Sequence, residues 1–114
     1  IRTDACSFIN IKLAKSGGLK EAIEINQVCQ NSNMACMIGG MLESRLAMTA
    51  AAHFATAFEN IRFYDMDTCL VGHKTDPVIG GATYNGFLVE LPAGNGIGAD
   101  ADDKFLAGME KISI

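Results

Sequence analysis

Apolar and polar positions change their period several times along this chain, and each change marks an element. Ile9 and Ile11 alternate with Asn10 and Lys12, the two-residue period of a strand, whose side chains point to opposite faces in turn. Ser16 is suited to cap a helix, and Gly17 and Gly18 to make the turn into it. Over residues 19–30, Leu19, Ala22, Ile23, Val28 and Cys29 fall mostly on one side, with Lys20, Glu21 and Glu24 elsewhere, which predicts an amphipathic helix closed by Asn31, Ser32 and Asn33. Residues 34–38 are a short apolar run bounded by Gly39 and Gly40, the pattern of a buried strand. Residues 44–58 predict a second helix that is apolar nearly all round, from Leu46, Ala47 and Met48 to Phe54 and Ala57. Such a helix packs closely against a sheet or another helix. Glu59 and Asn60 break it, and residues 61–64 predict a third strand that runs into Asp65, Met66 and Asp67.

The interval between strand ends is steady: Gly39 follows Lys12 by 27 residues, and Asp65 follows Gly39 by 26. Strand and helix repeating at one interval is the pattern of parallel βα units. Right-handed crossovers then open all the strand ends on one side, where α/β proteins bind their ligands. Lys12, the turn from Gly39 to Met41, and the Asp65/Asp67 pair are thus expected at one mouth. Beyond Asp67 the pattern loosens. Residues 72–86, with Pro77, Gly80, Gly81 and Gly86, read as a loop-rich return; residues 87–91 as a strand; 92–98 as a Gly-rich turn; and 101–111 as a short helix.

Two or three βα units do not close a sheet, and an eight-fold barrel takes about 250 residues. The 114 residues are therefore expected to be the last part of a larger enzyme or to be completed by another chain. The start, Ile-Arg-Thr-Asp, has neither an initiator Met nor the shape of a signal peptide, which agrees with that expectation. An apolar share of 49% with 19% charged residues belongs to a folded domain. A net charge of −4 without any Lys/Arg-rich run argues against a nucleic-acid surface, and no apolar run is long enough to span a bilayer. Cys6, Cys29, Cys36 and Cys69 form no CxxC pair and the two histidines are far apart, so a zinc site is not expected. Two disulfides would suit a secreted protein, but the Ala-, Met- and Gly-rich core favours reduced thiols in a cytoplasmic one.

Candidate chemistry centres on Lys12, a lysine at a strand end followed, after three intervening residues, by the Ser16-Gly17-Gly18 turn. It reads as a proton-transfer residue, against the plainer reading of a solvated strand-end lysine. Asp65 and Asp67 sit two apart, which on a strand would aim both carboxylates to one side; turn acids are the alternative. Lys15 reads as a surface residue or a support behind the site. Glu43 reads as an acid near the mouth or a charge favoured by a helix N-terminus. His53 is expected to be packed within its helix and His73 to be a surface loop residue. The Gly94-Asn95-Gly96-Ile97-Gly98 stretch follows Pro92 and opens no helix, so it is not read as a phosphate loop.

Three stretches together carry a resemblance: Asn10-Ile11-Lys12-Leu13-x-Lys15-Ser16-Gly17-Gly18, then Cys36-Met37-Ile38-Gly39-Gly40-Met41-Leu42-Glu43-Ser44, then Asp65-Met66-Asp67. From about Asp4 to Gly98 the chain resembles the C-terminal third of the enolase superfamily, muconate-lactonizing subgroup, and within it the dipeptide epimerases of the L-Ala-D/L-Glu type. The resemblance implies an α/β fold, the C-terminal part of a modified (β/α)7β TIM-type barrel whose tail returns to an α+β capping domain. Residues 1–71 would be its last βα units, with Lys12 ending the sixth strand, Gly39 the seventh and Asp65 to Asp67 the eighth, and residues 72–114 the barrel end and return segment. It implies a 1,1-proton transfer at the α-carbon of the second residue of an Ala-Glu-type dipeptide, with Lys12 as one of two lysines. Asp65 and Asp67 would clamp the α-ammonium, and Gly40, Met41 and Leu42 would also contact substrate. Mg2+ would stabilise the enediolate. The family's three acidic metal ligands and its second lysine match nothing here, so no metal site is assigned and the segment alone is expected to be inactive. The implied partners are the dipeptide, the remainder of the barrel with its cap, and further copies in a homo-oligomer. Other reactions of the subgroup (N-acylamino acid racemisation, o-succinylbenzoate synthesis, cycloisomerisation) and a non-catalytic half-barrel binding module are the alternatives.

Overall fold

The structure, a computed structural model, describes residues 5–110. Its centre is a three-stranded sheet in the order β1 (Ile9–Ile11), β2 (Cys36–Gly39) and β3 (Ile61–Asp65), all parallel. The regular interval seen in the sequence is the length of one crossover. A short helix α1 (Leu13–Ser16) and the longer α2 (Leu19–Asn31) return the chain from β1 to β2, and α3 (Arg45–Ala57) returns it from β2 to β3.

Ser16 does not cap α2, as the sequence predicted. It belongs to α1, and its hydroxyl donates to the Lys12 carbonyl at 3.0 Å. Gly17 closes α1 and Gly18 precedes α2, both with φ of 96°, a left-handed conformation that side chains resist. Ile11, Cys36, Ile38 and Ile61 are buried on one face of the sheet with Met48, Ala51, Ala52, Phe54 and Ala55 of α3. The apolar alternation thus does face the helices. Two α2 residues depart from expectation: Leu19 and Val28 are about half exposed, because their face of the helix has no packing partner among the described residues. Asn26 is fully buried instead. Its side-chain oxygen accepts from Asn60, whose amide also donates to the Met34 carbonyl at 3.1 Å.

The opposite face of the sheet is open. Asn10 pairs with Met37 and Met37 with Phe63, so these side chains share that face. Phe8 and Phe63 stack edge to face across it with ring centroids 4.8 Å apart.

The region after β3 is more ordered than its composition predicts. A 3-10 turn (Thr68–Leu70) leads to β4 (Val78–Gly80), which pairs antiparallel with β7 (Ala99–Ala101). Between them, β5 (Thr83–Asn85) and β6 (Leu88–Glu90) form a hairpin. The predicted strand at 87–91 is therefore half of a hairpin whose other half lies in the expected loop. The predicted helix at 101–111 is shorter, α4 (Asp103–Ala107), because the Asp102 carboxylate caps its start by accepting from the Lys104 and Phe105 amides. Lys111 lies outside the described residues.

Candidate active site

Parallel pairing puts the ends of β1, β2 and β3 at one edge. Gly39 is in register with Asp65, and Lys12 directly follows the Ile11–Ile38 pair. Lys12, Gly39 and Asp65 thus form a row across the open face, with the outer two main chains about 10 Å apart by strand spacing. A side chain at Gly39 would meet the Asn10 amide at 2.8 Å, so glycine keeps the middle of this row low.

Lys12 is half-buried, and its Nζ donates to the Gly40 carbonyl at 2.5 Å. An amine held this way has its stem fixed and its remaining valences free for other partners. Gly40 is itself buried, and an added Cβ would lie 2.7 Å from the Thr68 hydroxyl and 2.8 Å from the Met48 methyl. The β2 turn therefore packs directly on the turn after β3, and its carbonyl is engaged by Lys12. Met41 and Leu42 are exposed beyond it. Glu43 folds back to accept from the Met41 amide at 2.8 Å, and the His73 ring meets the Glu43 carbonyl at 3.0 Å. Glu43 and His73 thus brace the 40–44 loop. Lys15 is exposed on α1 and lines the same depression as Lys12 and Asn10. His53 is half-buried in α3, its Nε2 3.2 Å from the Ile97 carbonyl.

The two acids are not both on a strand. Asp65 ends β3, whereas Asp67 lies beyond it with helical φ and ψ of −93° and −2°. Strand alternation therefore does not aim them to one side, and that expectation is corrected. The turn itself brings them to a common cleft of about 410 Å3, lined also by Met66, Tyr84 and Phe87. Lys12 lines a separate depression. The described residues unite these groups by sheet face and edge rather than within one closed cavity.

The sequence reading missed the residues that hold the tail in place. Arg45 pairs with Asp76 at 2.6 Å and donates to the Val78, Gly80 and Ala82 carbonyls. Thr49, fully buried, accepts from the Ala82 amide at 2.9 Å. Tyr84 donates its hydroxyl to the Met66 carbonyl at 2.9 Å. Only Arg45 carried a signal: a cation in the first turn of a helix opposes the helix dipole and needs a tertiary reason. Among the described residues no group of three or more His, Cys, Asp or Glu side chains is placed to hold a metal ion. They do not fit a Mg2+ site, and no step through the metal follows from them.

The parallel βα sheet, with Lys12 and Asp65 on its C-terminal edge and Asp67 just beyond it, can be set beside known proteins. Residues 1–105 match the family Enolase C-terminal domain-like, and the chain belongs to that family. It is 42% identical over 115 residues to the D-Ala-D/L-Ala epimerase of Cytophaga hutchinsonii, covering the whole of this chain and 31% of that protein. It is 42% identical over 98 residues to the L-Ala-D/L-Glu epimerase of Bacillus subtilis, covering 86% of this chain and 26% of that one. Among solved structures, the dipeptide epimerase of Cytophaga hutchinsonii complexed with Mg and the dipeptide D-Ala-L-Val superposes with a TM-score of 0.91 at 41% identity, over 97% of this chain and 30% of that chain. The chain thus spans under a third of the length of these relatives, and its fold is their C-terminal barrel portion.

Proposed function

We propose that this chain is the C-terminal part of a Mg2+-dependent dipeptide epimerase that inverts the α-carbon of the second residue of an Ala-Glu-type dipeptide. One observation carries the reading. The parallel register sets Lys12 and Asp65 two strands apart on one open face, with Asp67 in the adjoining turn. Successive α-carbons are about 3.8 Å apart, so a dipeptide with its ammonium at the acids lays its second α-carbon toward the Lys12 side chain. Similarity to epimerases over most of the chain supports the same reading.

In this reading Lys12 Nζ takes the α-proton: the C–H bond breaks, an N–H bond forms, and the electron pair delocalises into the adjacent carboxylate. Lys12 is held by its bond to the Gly40 carbonyl, and a held base keeps its lone pair on the proton it removes. Asp65 and Asp67 hold the ammonium, and Met41 and Leu42 offer apolar contact at the mouth. Glu43 and Lys15 support the site without touching the reacting atoms. The metal and the base on the opposite face belong to residues other than those described. The segment 72–114 completes the barrel and returns to the capping domain, and the enzyme is a cytoplasmic homo-oligomer.

The test is deuterium incorporation from D2O at the α-carbon by the intact protein. Replacing a general base costs about 10²–10⁴-fold, so Lys12→Ala is expected to lose exchange from one enantiomeric face by that factor. Undiminished exchange and epimerisation in Lys12→Ala overturn the assignment.

A further inference from the structure

The main chain of the turn that carries both acids is held at Asp65 by the β2–β3 pairing, at Asp67 by the Leu70 amide, and between them by a side chain from the tail. The Asp67 side chain makes no capping bond to the 3-10 turn it precedes. Met66, between the acids, is buried, and its carbonyl receives the Tyr84 hydroxyl at 2.9 Å. The same hydroxyl accepts from the Cys69 thiol at 3.1 Å. Its single hydrogen is therefore committed to Met66, and a lone pair to Cys69. Burial, and after it the Cys69 thiol, raise the Tyr84 pKa well above its ordinary value of 10.0, so the phenol remains a donor through neutral and mildly alkaline pH.

Tyr84 is in turn tied to the helix that follows the mouth loop. Gly80 and Gly81 turn with φ of 68° and 83°, and their segment is fastened to α3 by Arg45 on the Val78, Gly80 and Ala82 carbonyls and by Thr49 on the Ala82 amide. Two residues later comes Tyr84.

We propose that Tyr84 is a positioning residue for substrate-ammonium binding, acting through the Met66 carbonyl to set the directions of the Asp65 and Asp67 carboxylates. This rests on the reading that those acids bind the ammonium of a dipeptide. A hydrogen bond to the carbonyl between two residues fixes the peptide plane joining Met66 to Asp67 and, through the fixed Met66, the exit from Asp65. It thereby restricts where both side chains start. Tyr84 lines the same cleft as the two acids but binds the main chain, so its removal acts on orientation and not on charge.

The experiment is Tyr84→Phe in the intact protein, assayed with a free-amine dipeptide and with its N-acetyl derivative, which lacks the ammonium. A lost orienting hydrogen bond is expected to raise KM for the free dipeptide about tenfold with kcat changed by less than about threefold. The preference for the free over the acetylated substrate falls in parallel. A generally loosened fold moves both substrates alike, so an unchanged preference overturns the inference. Cys69→Ala is the second arm: it removes the thiol and leaves the phenol on Met66, and the preference is expected to hold. A loss there as large as in Tyr84→Phe identifies loosening of the tail and likewise overturns it. An unsubstituted protein that exchanges no dipeptide α-proton overturns the underlying function together with this inference. Normal parental exchange with unaltered preference in Tyr84→Phe overturns this inference alone.

Discussion

Thr49→Val removes one oxygen from the interior and replaces it with a methyl of nearly the same shape. Thr49 and Ala82 are both fully buried. The hydroxyl accepts from the Ala82 amide at 2.9 Å and donates to the Arg45 carbonyl at 2.7 Å. The second bond is dispensable, because that carbonyl lies four residues back in α3 and receives the helical amide of residue 49. The first is not: Ala82 N–H is left without an acceptor in a place water does not reach. An orphaned buried amide costs about 1–3 kcal/mol, and no cavity term is added because the volume is kept. By comparison, the neighbouring Arg45–Asp76 pair is 21% and 47% exposed, where an ion pair contributes about 1 kcal/mol or less. Urea unfolding of the intact protein measures the difference, read as a lower midpoint at an unchanged slope. Thr49→Ser keeps the oxygen and is expected to lose only the methyl contribution of about 0.8 kcal/mol. A Thr49→Val protein within about 0.5 kcal/mol of the parent, or a Thr49→Ser protein damaged as much as Thr49→Val, refutes the reasoning.

Three further outcomes are expected. Asp67→Asn removes charge from the candidate ammonium site and should raise KM for a free dipeptide by about tenfold or more while sparing an N-acylated substrate; equal effects on both would favour the other subgroup reactions. Burial, and then the Cys29 thiol, push the Cys36 thiol from 9.0 up to about 12. Unfolded chains therefore release this proton first, so its contribution to stability is full below about pH 9 and is lost as pH rises toward 12. Tyr84, raised from 10.0, acts in the same direction. Urea midpoints that stay level or rise between pH 8 and about pH 10.5 would contradict this linkage. A thiol reagent at neutral pH should label exposed Cys6 first and reach the buried Cys29 and Cys36 only on unfolding, which mass spectrometry of the labelled peptides resolves.

Much of the central sheet was legible because parallel βα units impose a spacing that survives in one dimension. The alternation of Ile9 and Ile11 with Asn10 and Lys12, and the 27- and 26-residue intervals, are consequences of strand geometry and crossover length. They placed Lys12, Gly39 and Asp65 at one edge, where the register has them. The tail is less legible because β4 and β5 lie among Gly80, Gly81 and Gly86, whose turns mask any alternation, and β4 finds its partner β7 only beyond the intervening hairpin. A separation of two residues looks the same in a strand and in a turn, so spacing alone does not reveal that β3 ends at Asp65 and leaves Asp67 in the turn.

What the sequence determined by itself is the set of groups and their order along the edge: a lysine, a glycine turn and two acids, brought to one side by the handedness of βα crossovers. What only the tertiary structure decided is how those groups are held. Lys12 is fastened to the Gly40 carbonyl, Gly40 packs on Thr68, and Tyr84 reaches Met66 across 18 residues. Periodicity reports which face a residue takes, and it is blind to which distant carbonyl a side chain will find. The hydrogen bonds that hold Lys12 and the Met66 carbonyl are both of that second kind.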